Sequence, residues 1–277
     1  LNEAPASPLR CPRHLRQRES ALPPREKLAF ADLHREPFRL FFPAATLAGL
    51  CGVSLWIPLL LGWTNDYPGT PHARVMVQGF LAGFIFGFLG TSLPRLLEVP
   101  ALTAREVFPL LAVFAGNVGA QLAGATALGD GLFAAELAAW FLVLKGRCHA
   151  KRDLPPPSFV LVGLSFGCGL AGTMLFLAGR RGELSAELEL LAKLLGYHAF
   201  VLLCVLGAGG FLLPRFLGLG VRRKFPASTT PTPDWLQTAR VAGGAGLLIV
   251  LTYGLEAFGW PRSAVTLRAA LIVGYLW

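Results

Sequence analysis

His72 and Met76 stand one helical turn apart and offer an imidazole nitrogen and a thioether, two donor types that ligate haem iron. Gly79, Gly83 and Gly87 continue the same helical face. At 100° per residue all five fall within about 80° of one another. His198 is the second histidine within reach of a long apolar run. A haem iron ligated on both sides needs two strong donors, which His72 with either His198 or Met76 would supply. The face His198 occupies carries Leu202, Val205, Gly209, Leu212 and Phe216, a less distinctive stripe. The other three histidines, His14, His34 and His149, lie in polar segments. Five histidines are too few for a haem–copper centre, which needs several for the haem and a separate copper ion.

The glycine face has two readings. A tandem small-residue groove admits a second helix close to the backbone. The same groove could form one wall of a cofactor site, with Gly79 and Gly83 against a flat ligand and His72 or His198 reaching a metal. Both readings stay open on the sequence.

Other chemistries find less support. No P-loop and no HExxH string is present. The five cysteines are scattered, without a CxxC pair, and Cys51, Cys168 and Cys204 sit inside apolar runs as buried thiols. Few of the 16 acidic residues fall in apolar runs, so a dense carboxylate relay is absent. Asn117 and Gln121 make an i, i+4 polar patch, and Glu136 stands inside an apolar run. Its carboxyl is either functional or close enough to the helix end to reach the interface.

The elements that position these residues are transmembrane helices. The chain has 277 residues, is 54% hydrophobic and only 15% charged, and its apolar residues come in long runs. That predicts an all-α, polytopic helix bundle with the lipid bilayer as its partner. About eight spans are expected, near 38–63, 72–94, 106–126, 127–144, 159–178, 190–214, 236–258 and 263–277. Residues 1–36 read as a basic, Pro-rich tail, disordered over 1–24, with a short interfacial helix over 25–36. No secretory signal pattern is present in it. The first residue is Leu1 and the last, Trp277, falls in an apolar run, so the chain reads as a fragment or truncated copy of a longer protein.

The net charge of +9 does not point to nucleic acid, because no module outside the spans presents it. With a cytoplasmic N-terminus, nineteen of the 25 Lys and Arg fall on the cytoplasmic side. The positive-inside rule therefore predicts that orientation. His72 and His198 then share the outer end of the bundle. Spans two and six also share a faint echo, His-Ala followed by Gly-Phe-Leu and a terminal Leu-Pro-Arg, too weak to define a repeat.

Several strings occur together and in order: PFRLFFP at 37–43, GVSLW at 52–56, HARVMVQGFLAGFIFGFLGTSLPR at 72–95, KRDLPPPSF at 151–159 and GGFLLPRF at 209–216. In this order the chain resembles the NnrS family of bacterial inner-membrane proteins, over roughly residues 36–277. The resemblance implies a bundle of about twelve spans, of which this chain would supply the first eight. It implies association with haem and copper, and a role in nitric oxide metabolism or resistance to nitrosative stress. It also implies partners in a respiratory or denitrification system. His72 and Met76 match the histidine and methionine of the family's second-span string. Arg74 and Val75 stand where many members have a second histidine and a glutamate. Gly209, Gly210 and Pro214 match a sixth-span motif in which Phe211 replaces an arginine. A transporter-like or structural bundle without a metal is the alternative, with Asn117, Gln121 and Glu136 lining a small polar pocket.

Overall fold

A computed structural model describes residues 30–179, 182, 184–218 and 228–276. The tail expected to be disordered, residues 1–24, lies outside them. Within the expected interfacial stretch, Phe30–Arg35 forms a short 3-10 helix.

Eight long helices follow. They are α1 (Phe38–Leu60), α2 (Gly69–Leu96), α3 (Ala104–Leu122), α4 (Thr126–His149), α5 (Pro157–Gly179), α6 (Ala186–Leu213), α7 (Pro233–Ala257) and α8 (Pro261–Leu276). Most of the described residues are helical, with no strand among them. Six of the helices are long and apolar enough to cross a membrane. The others, α3 and α8, are 19 and 16 residues long. A bilayer leaves no water for backbone groups, so helices that satisfy their own N–H and C=O groups are the natural solution.

Local chemistry sets the ends. Thr103 and Glu106 form a capping box at the start of α3. The same Glu106 carboxylate accepts two bonds from Arg147 Nη2, at 2.9 and 2.6 Å, which ties the end of α4 to the start of α3. Gly124, at φ 75°, makes the tight turn between the two helices. Thr232 caps α7 by accepting from the Trp235 N–H, with Pro233 at the first helical position.

The bundle is apolar outside and mixed inside. Leu47, Leu50, Val53, Leu142, Leu251 and Val273 are exposed, while Arg74, Gln78, Asn117, Gln121, Asp130 and Glu136 are buried. That inversion fits a lipid surround, in which exposed leucines carry no hydration penalty. An aromatic core holds the first four helices and α5 together. Phe86 stacks on Trp140 with centroids 5.4 Å apart, Phe41 meets Trp140 edge-on at 5.4 Å, and Phe166 leans on Phe86 at 6.2 Å.

The glycine face of α2 packs against α1. A Cβ on Gly79 would lie 3.1 Å from Ala48 Cβ, and one on Gly87 2.9 Å from Phe41 Cβ. A Cβ on Gly83 would meet Ala45 Cβ at 2.7 Å and the Phe114 ring at 3.0 Å. Gly83→Leu should therefore push α1 and α3 off α2 and lower the folded yield in detergent. Size-exclusion profiles and melting curves like those of the wild type would contradict this packing.

Candidate functional site

Two faces of α2 carry the chemistry. The first faces α1. His72 Nδ1 donates to the Gly52 carbonyl oxygen at 2.9 Å. A carbonyl only accepts, so Nδ1 carries a proton, and Nε2 is the nitrogen left to ligate a metal. This is the anchoring that metal-ligating histidines use, with the second nitrogen held by a backbone carbonyl. Trp56 meets the imidazole edge-on at 5.5 Å, and Tyr67 meets Trp56 in the same way at 5.3 Å. Met76 turns to the same place, its Sδ lying 3.1 Å from where a Cβ on Gly52 would be. Val75 Cγ1 lies equally close, so Gly52 is the residue that admits Met76 and Val75.

The expected ligands stand on two helices, His72 and Met76 on α2 and His198 on α6. His198 is exposed on α6, and its ring lies 6.4 Å from the Tyr253 ring of α7. No hydrogen bond or ring contact among the described residues joins it to His72. Met76 shares a helix face with His72, one turn on, so the two cannot take opposite sides of one flat macrocycle. Gly79 and Gly83 face Ala48, Val118, Ala45 and Phe114, which fill the space a flat ligand would need. Among the described residues, no three His, Cys, Asp or Glu side chains converge on a point. Of these donors His72 fits haem best, because its second nitrogen is anchored. Copper would call for further donors beside His72 and Met76.

The opposite face of α2 holds a buried polar cluster. Asp130, one turn into α4, accepts from Arg74 Nε at 2.9 Å and Nη2 at 3.0 Å. Gln78 Nε2 and Gln121 Nε2 donate to the same carboxylate at 3.0 and 3.1 Å. Gln121 Nε2 also reaches Gln78 Oε1 at 2.8 Å, and Asn117 Nδ2 approaches the Gln78 carbonyl at 3.4 Å. The Phe176 ring lies 5.0 Å from the Arg74 guanidinium, and Tyr197 packs on Phe176 at 5.2 Å. Two of the helices that reach this cluster contain a widened π-helical stretch, Val75–Leu81 in α2 and Leu194–Ala199 in α6. Such stretches often mark functional sites, because the extra residue per turn re-aims the side chains it carries. Here they carry Gln78, Tyr197 and His198.

Sequence reasoning found Asn117 and Gln121 but passed over Gln78 and Asp130, and it gave Arg74 no partner. The available signal was one charge of each sign inside apolar runs, since such charges pair within a bundle. Glu136 is fully buried, so it does not reach the interface. It lies apart from the Asp130 cluster, nearly two turns deeper on α4. The pentapeptide Gly163-Leu164-Ser165-Phe166-Gly167 has G-x-S-x-G spacing, also passed over in the sequence. It sits within α5, where Ser165 Oγ bonds the Val162 carbonyl and contacts Cys204 Sγ at 2.8 Å. A nucleophile elbow needs a strand-to-helix turn, so this serine is a packed helix residue.

A carbonyl-anchored histidine and a charged, hydrogen-bonded centre inside an apolar bundle define a multi-pass helical membrane protein with an organised polar interior. The family model described as NnrS protein matches residues 32–277, and the chain belongs to the NnrS family. Comparison with curated proteins and with solved structures gives no match.

Proposed function

We propose that this chain is a haem-binding protein of the bacterial inner membrane, acting in nitric oxide metabolism or resistance to nitrosative stress. His72 is its iron donor. The observation that carries the reading is the Nδ1 bond to Gly52, which fixes the ring and leaves Nε2 as the nitrogen for a metal. Bound haem would supply an iron able to take a diatomic ligand. The chain's own part is to hold that imidazole, with Trp56 and Tyr67 restricting its rotation. With the N-terminus in the cytoplasm, His72 faces the outer side of the membrane. Subunits of a respiratory or denitrification system are the natural partners.

The test is a growth challenge. Cells lacking their own copy are exposed to a nitric oxide donor while they express the wild type or His72→Ala. The wild type should restore growth and the variant should not, at equal amounts in the membrane. Equal protection by both would overturn the role of His72.

A transporter-like bundle without a metal is the second reading. The Arg74–Asp130 cluster favours it, because intramembrane charges line substrate and ion paths in such proteins. A colourless, folded wild type would select it.

A further inference from the structure

Three residues with buried, unpartnered oxygens descend along the seam between α3 and α4. Gln121 Oε1, Asn117 Oδ1 and both Glu136 oxygens are buried without a hydrogen-bond partner among the described residues. Their order follows from the packing. A Cβ on Gly129 would lie 2.4 Å from Gln121 Nε2, and one on Gly116 would lie 3.4 Å from Leu132. The two helices are joined by the short turn at 123–125, so Gln121 is level with Gly129 and Asn117 with about Leu132. Glu136 comes seven residues after Gly129 and therefore returns to the same helical face. At 1.5 Å per residue, Gln121 to Asn117 and Asn117 to Glu136 are steps of about 6 Å each along the seam. One water bonded at both ends spans about 5.6 Å, twice an O···O hydrogen bond.

The chemistry of the orphan atoms narrows the ligand. Gln121 Oε1 and Asn117 Oδ1 accept, and a neutral Glu136 carboxyl both accepts and donates, so the ligand must do both. The Arg74–Asp130 pair already balances its own charge. Adding a bare cation would leave a net charge in a low-dielectric interior, whereas a neutral donor adds none. Buried polar groups without protein partners are where ordered water belongs. The upper end is near the surface. Asp130 lies five residues past exposed Ala125, about 7.5 Å along the helix, and the Arg74 side chain keeps 10% of its surface exposed. At the lower end, Glu136 has only the Trp140 Nε1–H in loose contact, outside hydrogen-bond geometry. An isolated carboxylate there would be far costlier than the neutral acid.

We propose that this seam is a water-filled proton path, running from the Arg74–Asp130 cluster at the His72 end, past Gln121 and Asn117, to a protonated Glu136 near the middle of the bundle. The step is a proton exchange alone: Glu136 passes its proton to the adjacent water and takes one back, with no redox change. It does not depend on haem.

Infrared spectra of the full chain in lipid, in H2O and then D2O, test it. A protonated-carboxyl carbonyl band should be present at neutral pH, vanish in Glu136→Gln and shift promptly in D2O. Asn117→Leu removes the middle acceptor and leaves the Arg74–Asp130 pair intact, so it should slow that shift at least about tenfold. A missing Glu136-dependent band, a band that never shifts, or an unchanged rate in Asn117→Leu would each overturn the path. If Asn117→Leu fails to fold, the wild type against Glu136→Gln still decides on the band and its exchange.

Discussion

Replacing Asp130 by leucine while Arg74 stays in place is expected to remove most of the folded protein. The Arg74 guanidinium would lose its three bonds to the carboxylate, and Gln78 and Gln121 would lose a shared acceptor. The carboxylate is fully buried and the arginine side chain nearly so. Breaking such a pair from one side costs about 3–5 kcal/mol, because the remaining charge is left uncompensated. In a bundle the helices would separate to let water or lipid headgroups reach it. The double variant Arg74→Leu/Asp130→Leu should recover part of the loss, since no charge stays behind. It should not recover all, because the two amides still lack their acceptor. Melting curves in detergent check both. Equal loss in single and double variants would show that the cluster matters for packing shape and not for charge.

Gly172→Ala should be the other large effect. A Cβ there would lie 2.3 Å from the Gly196 backbone nitrogen, 2.6 Å from its Cα and 2.7 Å from the Ala192 carbonyl oxygen. Every close atom is backbone, so no rotamer change relieves the clash and α5 must move off α6. Overpacking of this kind costs about 1–3 kcal/mol, and a backbone obstacle puts it at the upper end. Gly196→Ala makes the internal control. Its Cβ would meet Phe176 at 3.3 Å and the Gly172 Cα at 3.6 Å, which the ring can accommodate. The first variant should melt well below the wild type and the second close to it. Equal melting points would contradict the close approach of the two helices.

These two sites show what the sequence could and could not reveal. The helices were legible because apolar runs in a membrane leave the backbone little choice but helix. The glycine face of α2 was legible as a groove, but not its occupant. That needed Ala45 and Ala48 to be brought from another helix. Asn117 and Gln121 were legible as a polar pair because their spacing is local. The Arg74–Asp130 pair joins residues 56 positions apart, and Arg74 sits near a helix start, where a cation reads as an interfacial residue. The widened stretches at Val75–Leu81 and Leu194–Ala199 left no mark in composition. They depend on how each helix meets its neighbours, and so the surroundings of Tyr197 and His198 were not legible either. His72 itself was found for its residue type and face, while its anchor, the Gly52 carbonyl, is a backbone atom that no side-chain pattern announces.

The most direct measurement is an optical spectrum, oxidised and reduced, of detergent-purified full chain from cells supplied with haem precursor, beside His72→Ala and His198→Ala. A Soret band in the wild type and in His198→Ala, lost in His72→Ala at equal folded yield, is the expected result. A folded wild type without a Soret band, or one whose band survives in His72→Ala, would contradict the assignment of His72 as the iron donor.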